Sequence, residues 1–412
     1  MKVRNQNRKR QNCFTGIYAA FLLVFLTVLS GCGKNMNEKT NIPSKLTPAL
    51  TKTPTAAAVP DITLPPSSTE PTKEARKEAY LSELLKGLSL EEKVGQMFLV
   101  RCPEDAIEGI RTYAVGGYVL FRRDFEGETK RSLTEKLASY QEASNIPLLF
   151  AVDEEGGTVV RVSRFSEFRS TPFRSPQEVF SAGGMEAVAK DTKEKAELLL
   201  SLGITVNLAP VCDVSELPKA YMYKRSFGKD AEETSAYVKT VVSAMKEAGL
   251  GSVLKHFPGY GNNADTHERI VYDSRSYETY TESDFKPFLA GIEAGAGAVM
   301  VSHNIVQCMD AERPASISEN VHRILREELG FTGVILTDDL YMDGIQKFTG
   351  EEAAAVAAVL AGNDMLCCTN FEVQLPAVIA AVKDGRIPEE QIDASVLRIL
   401  RWKAELGVIS YY

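Results

Sequence analysis

The chain has 412 residues, of which 44% are hydrophobic and 25% are charged, a composition that allows a folded domain with a sizeable core. Its formal net charge is −8 at pH 7. Nucleic-acid binding depends on positive charge that meets the phosphates, so this balance argues against a nucleic acid as partner.

The N-terminus has the features of a bacterial export signal. Five basic residues come first: Lys2, Arg4, Arg8, Lys9 and Arg10. An apolar stretch follows from Phe14 to about Leu29, and Leu-Ser-Gly-Cys then ends at Cys32 in the manner of a lipobox. A plain transmembrane anchor is the weaker alternative, because about 16 apolar residues are short for a membrane span. We therefore expect residues 1–32 to be a lipoprotein signal peptide. Lipidation of Cys32 would hold the protein on the outer face of the cytoplasmic membrane.

Residues 33–72 are rich in Thr, Pro, Ser and Ala and contain almost no aromatic side chains. Such a segment cannot bury enough apolar surface to offset its chain entropy, so we expect a flexible tether. Residues 73–412 are expected to form one domain. Its first helix is predicted over Lys73–Leu88, and Ser89 with Glu92 has the spacing of a capping box that begins a second helix.

From about residue 95 onward, short apolar runs alternate with amphipathic segments. The runs predict eight strands, at Gln96–Arg101, Gly117–Phe121, Pro147–Val152, Thr205–Leu208, Ser252–Phe257, Ala298–Ser302, Gly333–Thr337 and Asp364–Cys367. Helices are predicted at Glu186–Leu202, Glu232–Ala248, Asp284–Ala294, Glu319–Leu329, Glu351–Leu360 and Pro388–Leu406. Continuous apolar runs suit parallel strands that are buried on both faces. Eight strand–helix units predict an α/β fold, a single (β/α)₈ TIM barrel, with a doubly wound open sheet as the alternative.

The seven cysteines show neither the spacing of a disulfide framework nor that of a zinc site. Two of them belong to the signal, and the others are scattered over the domain: Cys102, Cys212, Cys308, Cys367 and Cys368. We expect these five to be small buried side chains.

Polar residues cluster directly after the predicted strands, where barrel enzymes carry their active sites. The clusters are Asp153-Glu154-Glu155, Asn207 to Asp213, Lys255 to Gly261 with Asp265-Thr266-His267, Ser302-His303-Asn304 and Thr337-Asp338-Asp339. Three of the four histidines fall within them, whereas His322 lies in a charged helix and is expected to be exposed. Histidine suits proton transfer near neutral pH. Zinc is disfavoured because no close pair of metal-ligating histidines occurs.

Two motifs together resemble the family 3 glycoside hydrolases, and within them the β-N-acetylglucosaminidase branch. They are Lys255-His256-Phe257-Pro258-Gly259-x-Gly261 with Asp265-Thr266-His267, and Thr337-Asp338-Asp339-Leu340. The resemblance covers about residues 85 to 408. It implies a retaining enzyme, in which a carboxylate attacks the anomeric carbon and forms a glycosyl–enzyme intermediate.

By this resemblance, Asp338 is the nucleophile. The alternative for Asp338 is a helix N-cap, a role that Asp339 could fill instead. The resemblance further implies that His267 protonates the leaving oxygen and that Asp265 orients and charges it, as a carboxylate does for an imidazole in a triad. The alternative for this pair is a surface Asx-turn. Gly259 and Gly261 would give the loop the permissive backbone that it needs.

Four residues match the sugar-holding positions of the family: Asp153, Arg225, Lys255 and His256. For each of them, a buried salt bridge at the barrel mouth is the alternative. Glu154 and Glu155 receive no role at this point, and Asp213 is expected to be structural. Tyr260 departs from the His or Arg that relatives often carry, and the spacer between Gly261 and Asp265 is one residue shorter than in the best-known relatives.

The expected activity is the removal of terminal β-linked N-acetylglucosamine from cell-wall fragments, including muropeptides, or from chitin-derived oligosaccharides. No metal or organic cofactor is implied, and a monomer is expected. Two alternatives remain at this point. The first is phosphorolysis, since a histidine acid/base leaves the water site without a fixed negative charge that would repel phosphate. The second is a lipid-anchored sugar-binding protein without catalysis.

Overall fold

The computed structural model describes residues 72–263, 270–368 and 370–411. In this part of the chain, ten strands are formed: β1 Phe98–Arg101, β2 Gly117–Leu120, β3 Leu149–Val152, β4 Val206–Asn207, β5 Gly251–Phe257, β6 Tyr272–Asp273, β7 Ala298–Val301, β8 Ile305–Val306, β9 Val334–Thr337 and β10 Leu366–Cys368. Strands β6 and β8 pair as a separate ribbon, and the other eight form one parallel sheet. The expected signal peptide and all but the last residue of the expected tether lie outside the described residues.

The parallel sheet is a (β/α)₈ TIM barrel, as the sequence predicts. Its strands follow one another in the order β10-β1-β2-β3-β4-β5-β7-β9. A bridge between Leu336 and Met365 joins the two ends of this order. There the Leu340 N–H also donates to the Cys367 carbonyl at 2.9 Å. In barrel order, β3 and β9 are therefore the third and seventh strands and lie on opposite sides of the barrel.

Helices surround the strands, and their bounds are α1 Lys73–Gly87, α2 Leu90–Gln96, α3 Ala106–Tyr113, α4 Lys130–Ala143, α5 Pro176–Ser201, α6 Ala231–Ala248, α7 Tyr277–Thr279, α8 Phe285–Ala294, α9 Glu319–Arg323, α10 Asp343–Thr349, α11 Glu351–Ala361, α12 Phe371–Lys383 and α13 Glu389–Glu405. Single π-helical turns link α7 to α8, over Tyr280–Asp284, and continue α9, over Ile324–Glu328. No described helix has the length and apolar character that a membrane span requires.

The predicted ends of these elements agree with the structure where a local signal marks them. The capping box at Ser89 and Glu92 is confirmed, because each side chain accepts the other residue's backbone N–H. Thr72, the last residue of the expected tether, accepts the Ala75 N–H and thereby caps α1. Helix α5 begins earlier than predicted, at Pro176, since Gly183 and Gly184 leave helical geometry and join two helices through a kink.

The barrel core is built by alternate side chains of the eight strands and by the helix faces that cover them. Strands β2, β3, β7 and β9 are buried along their whole length. Continuous burial explains why these strands are apolar runs without polar alternation. Their polar neighbours come immediately after the C-terminal strand ends, so the topology gathers these side chains at one mouth of the barrel.

Candidate active site

A largely buried group of four charged side chains lies at the barrel mouth, at the ends of β3 and β5 and in the segment between β4 and α6. Lys255 Nζ is 2.7 Å from Asp153 Oδ1 and 2.7 Å from Glu155 Oε1. Arg225 clamps the same Glu155 carboxylate through Nε at 3.1 Å and Nη2 at 2.8 Å. We call Asp153, Glu155, Arg225 and Lys255 the charged quartet. Two cations and two anions balance one another within it, so the burial of these charges is compensated.

The quartet changes the protonation equilibria of its members. Burial alone would raise the pKa of Glu155, but the adjacent Lys255 and Arg225 charges hold that pKa well below its ordinary range. For Lys255, burial acts to lower the pKa, and the Asp153 and Glu155 carboxylates outweigh it and raise the pKa above its ordinary value. Both side chains are therefore ionised at neutral pH. Ionised donors and acceptors side by side suit the neighbouring hydroxyls of a sugar ring.

His256 follows Lys255 directly and also belongs to the site. The pairing of β5 with β7 shifts register between Leu254 and Phe257, and such an irregularity re-aims side chains that would otherwise alternate. The His256 Nδ1 atom lies 2.8 Å from Asp213 Oδ2, and its Nε2 atom lies 3.4 Å from Arg225 Nη2. Asp213, expected to be structural, thus orients the histidine ring.

Tyr260, which departs from the family pattern, is buried against this histidine. The two rings meet edge to face with centroids 5.3 Å apart. The Tyr260 backbone N–H donates to Asp213 Oδ1 at 2.7 Å. An aromatic side chain at this position therefore packs against the His256 ring from a second direction.

Asp338 lies at the C-terminal end of β9, on the opposite side of the barrel from Asp153. Its N–H donates to the Val301 carbonyl at 2.9 Å, which continues the pairing with β7, and its carboxylate is half-buried. Asp338 Oδ1 accepts the Asp339 N–H at 2.9 Å. Asp339 in turn accepts the Tyr341 N–H at 2.9 Å and so forms a turn. Helix α10 begins only at Asp343 with Met342 as its N-cap, so neither aspartate caps it.

Glu154 and Glu155 are adjacent but have different surroundings. Glu154 is fully buried, and its carboxylate accepts the backbone N–H groups of Arg161 and Val162, each at 2.8 Å, and the Ser163 hydroxyl. Burial raises the pKa of Glu154, although these hydrogen bonds act in the opposite direction. Glu154 therefore shapes the loop after β3, whereas Glu155 belongs to the charged quartet.

Sequence reasoning missed Arg275, which braces the loop after β5. Its Nη1 atom lies 2.9 Å from Asp284 Oδ1, and its Nη2 atom lies 2.8 Å from Asp273 Oδ2 and donates to the Gly259 carbonyl at 2.9 Å. Asp273 also accepts from the Tyr280 hydroxyl at 2.6 Å. Arg275 lies on no predicted strand end, so its position in sequence carried no signal of this role.

Several expectations fall elsewhere. Asp265 and His267 lie outside the described residues, as does Cys32, so the acid/base pair and the lipidation site stay predictions.

The expectation that His322 is exposed is wrong: it is buried, and its Nδ1 atom lies 2.8 Å from the Ser318 carbonyl. Burial lowers the pKa of His322. Cys102, Cys212 and Cys367 are buried as expected, whereas Cys308 is exposed.

Another histidine of the predicted clusters, His303, is fully buried outside the charged quartet. Its Nδ1 atom lies 2.7 Å from the Ser316 hydroxyl, and its Nε2 atom lies 3.1 Å from the Asp339 carbonyl. These contacts tie the end of β7 to the turn after β9 and thus support the backbone that carries Asp338. Within the described ranges, no group of three or more His, Cys, Asp or Glu side chains is arranged to hold a metal ion.

A model of known protein families matches most of the chain. Residues 89–402 match the glycosyl hydrolase family 3 N-terminal domain. This range contains every strand of the barrel, the charged quartet and Asp338.

Individual relatives agree with this match. The chain is 34% identical over 313 residues to a β-hexosaminidase of Xylella fastidiosa strain M23, and the alignment covers 74% of this chain and 91% of that protein. Among solved structures, a family 3 β-N-acetylglucosaminidase from Paenibacillus sp. superposes with a TM-score of 0.74 at 33% identity over 79% of this chain and 64% of that one. A β-N-acetylhexosaminidase from Beutenbergia cavernae superposes with a TM-score of 0.68 at 26% identity, over 77% of this chain and 99% of that one.

Proposed function

Because the chain belongs to glycosyl hydrolase family 3 and is a glycoside hydrolase, we propose that it is a retaining, exo-acting β-N-acetylglucosaminidase. It removes a terminal β-linked N-acetylglucosamine from an oligosaccharide. Asp338 is the nucleophile, and His267 with Asp265 is the acid/base pair. The single observation that carries this proposal is the half-buried Asp338 carboxylate at the seventh strand end, across the barrel from Asp153 of the charged quartet.

In the first step, a carboxylate oxygen of Asp338 attacks the anomeric carbon. The bond to the leaving oxygen breaks, and that oxygen takes a proton from the His267 imidazolium. In the second step, neutral His267 removes a proton from water as the water attacks the anomeric carbon. The bond to Asp338 breaks, and the sugar leaves with its original β configuration.

The contacts of Asp338 support its assignment. The Asp339 N–H at 2.9 Å from Oδ1 stabilises the ionised form, which is the form that attacks. A carboxylate used for capping would have its acceptor capacity directed at a helix, whereas α10 begins later, with Met342 at its N-cap position.

The charged quartet with His256 supports a sugar-holding role. Asp153, on the third strand, is opposite the nucleophile strand, so a pyranose whose anomeric carbon meets Asp338 directs its far hydroxyls towards Asp153, Lys255 and His256. Ionised groups that already bond to one another are preorganised, and a sugar hydroxyl can insert between a donor and an acceptor. The paired charges compensate one another's burial, so the salt bridge and the sugar-holding role are compatible.

The substrate reaches the enzyme outside the cell in this proposal. Lipidation at Cys32 would keep the catalytic domain at the outer face of the cytoplasmic membrane, with residues 33–72 as tether. Cell-wall fragments and chitin-derived oligosaccharides are the substrates that fit this location. Both carry terminal β-linked N-acetylglucosamine.

The test is hydrolysis of a panel of aryl β-glycosides by protein that starts at residue 72. We expect a preference for the N-acetyl-β-glucosaminide over the β-glucoside of at least about 100-fold in kcat/KM, since a site built for a polar substituent leaves its groups unpaired with the wrong sugar. Equal turnover of both glycosides would contradict the proposal. Product analysis in phosphate buffer adds a second arm: free sugar supports hydrolysis, and sugar 1-phosphate would identify a phosphorylase instead.

A further inference from the structure

The loop after β5 ends at β6, and the predicted acid/base residues Asp265 and His267 lie between its two ends in sequence. Both ends bond to one side chain. Arg275 Nη2 donates to the Gly259 carbonyl at 2.9 Å on the outgoing end, and Arg275 Nε donates to Asp273 Oδ2 at 3.0 Å on the returning end. The two ends therefore cannot move apart unless hydrogen bonds of Arg275 break.

A second contact joins the same two ends. The side-chain amide of Asn263, the last described residue before Asp265, donates to Asp273 Oδ2. Asp273 is buried and also accepts the Arg275 backbone N–H at 3.0 Å and the Tyr280 hydroxyl at 2.6 Å. Burial raises the pKa of Asp273, but the hydrogen bonds from Arg275 and Tyr280 outweigh burial, so the pKa lies below its ordinary value. The carboxylate is thus ionised at neutral pH and binds all of these donors.

Arg275 is itself fixed to the π-helical turn Tyr280–Asp284, which leads into α8. Its Nη1 atom lies 2.9 Å from each carboxylate oxygen of the buried Asp284. Its Nη2 atom donates to the Tyr280 hydroxyl at 2.9 Å, and its guanidinium carbon lies 4.4 Å from the centroid of the buried Tyr280 ring. All three nitrogens of the guanidinium are therefore engaged. A planar guanidinium can make these contacts together, whereas the single charged nitrogen of a lysine cannot.

We propose that Arg275 is a positioning residue for the acid/base step: it holds the two ends of the loop at a fixed separation and thereby sets where Asp265 and His267 meet the leaving oxygen. This inference rests on the proposed function and adds to it a residue that acts through the loop. A loop with tied ends has fewer conformations than a free one. An acid that must reach one oxygen gains from this restriction, because a misplacement of about 1 Å can lower the rate about 100-fold.

The test is Arg275→Lys, which keeps the charge and loses the simultaneous contacts. It is assayed by kcat/KM on the dinitrophenyl N-acetyl-β-glucosaminide and on the β-1,4-linked disaccharide of N-acetylglucosamine. This constant reports formation of the glycosyl–enzyme, in which the disaccharide needs a proton and the dinitrophenyl glycoside does not. A misplaced acid should therefore slow the disaccharide about 100-fold and the dinitrophenyl glycoside far less. A smaller folded fraction slows both substrates equally, so the ratio of the two constants separates positioning from stability.

Arg326 provides the matched control, because it braces a loop at the opposite end of the barrel. Its side chain is 21% exposed, against 25% for Arg275. It pairs with Asp364 and donates to the carbonyls of Phe331 and Gly333, at 3.0 and 2.6 Å, just before β9. Arg326→Lys should change both constants by the same factor and leave their ratio as in the wild-type protein.

An unchanged ratio in Arg275→Lys, or an equal change of ratio in Arg326→Lys, would overturn the positioning role. If Arg275→Lys does not fold, Tyr280→Phe takes its place, since it keeps the buried ring and removes one hydrogen bond of Arg275. A lower disaccharide-to-dinitrophenyl ratio in that variant supports the proposal, and an unchanged ratio overturns it.

Failure of the proposed function has a different signature. His267→Ala without any dependence on the leaving group would remove the acid/base assignment, and this inference with it. Dependence on the leaving group in His267→Ala but not in Arg275→Lys would overturn this inference alone.

Discussion

Asp213 holds His256 through a hydrogen bond of 2.8 Å between Oδ2 and the ring Nδ1, while its Oδ1 atom accepts the Tyr260 N–H at 2.7 Å. A carboxylate accepts, so Nδ1 carries the proton and Nε2 keeps its lone pair. That lone pair points to where Arg225 Nη2 lies, at 3.4 Å. The tautomer of His256 is thus set by Asp213, which is not a member of the charged quartet.

Asp213→Asn should reverse this tautomer. The amide can donate to Nδ1, which moves the ring proton to Nε2, where it meets the Arg225 donor. We expect kcat/KM for an aryl N-acetyl-β-glucosaminide to fall about 10- to 100-fold, the range of a lost charged hydrogen bond. Asp230→Asn, at the exposed N-cap of α6, is the control and should have little effect on activity. Wild-type kinetics in Asp213→Asn would show that the tautomer is irrelevant.

Glu155→Gln should be strongly destabilising, because it leaves the buried Lys255 and the half-buried Arg225 with one carboxylate, that of Asp153. We expect a loss of about 3–5 kcal/mol in the free energy of unfolding, measured with urea at pH 7. The pKa of Glu155 is lowered in the folded state, so its contribution is present above the unfolded pKa and is lost as the pH falls. The difference between variant and wild type should therefore shrink below about pH 4.

Glu126→Gln is the control for this measurement. Glu126 is exposed and pairs with Arg122 at 3.6 Å, and such surface pairs contribute about 0–1 kcal/mol. If both variants lose the same small amount, the quartet does not stabilise the fold through its charges.

Lys403 should make stability depend on pH in the alkaline range. It is fully buried and donates to Gln96 Oε1 at 2.6 Å, and burial lowers its pKa to about 7. The unfolded chain keeps the ordinary lysine value and binds more protons between about pH 7 and 10.4, so wild-type stability should rise across that window, by at most about 5 kcal/mol. Lys403→Met should lack this rise. Parallel stability curves for the two proteins would contradict the argument. The control is Lys347→Met, because Lys347 is exposed and pairs with Asp343 at 2.7 Å.

Asp338→Ala and His267→Ala should differ in mechanism. Without Asp338 no glycosyl–enzyme forms, so activity on every substrate should be lost. His267→Ala should lose far more activity on a disaccharide than on a dinitrophenyl glycoside, because a leaving group of low pKa departs without a proton. Mass spectrometry of the quenched His267→Ala reaction should then detect a hexosamine adduct on the Asp338 peptide. Equal slowing of both substrates would remove His267 from the acid/base role.

Cys32→Ala should release the protein from the membrane fraction or block its processing. The motivation is the Leu-Ser-Gly-Cys element that follows an apolar stretch. Fractionation and intact mass measure the two effects. Unchanged membrane association together with an unchanged mature mass would contradict lipidation.

The barrel was predictable because each buried parallel strand is a continuous apolar run, and its polar residues come right after its end. Asp153, Lys255 and Asp338 were found in this way. Glu155 was not assigned a role from the sequence, because it differs from the adjacent Glu154 only in its contacts. Its partner Arg225 is 70 residues away in sequence, so no local pattern marks that contact. The error at His322 has a similar cause. Its helix is charged, but one face packs against the chain near Gly362, whose distance in sequence hides the contact.

The hydrogen bonds of Arg275 restrict which substitutions the loop after β5 can accept during evolution. Gly259 and Gly261 both have positive φ, at 122° and 54°. A side chain on Gly259 would overlap Asp284, and one on Gly261 would overlap Arg275. Asp284 and Arg275 also form an ion pair with each other. The two glycines and these two side chains are therefore coupled, and a substitution at one of the four positions is tolerated only when the others change with it. Laboratory evolution of this loop should therefore leave the two glycines fixed and draw its diversity from the residues between and beyond them.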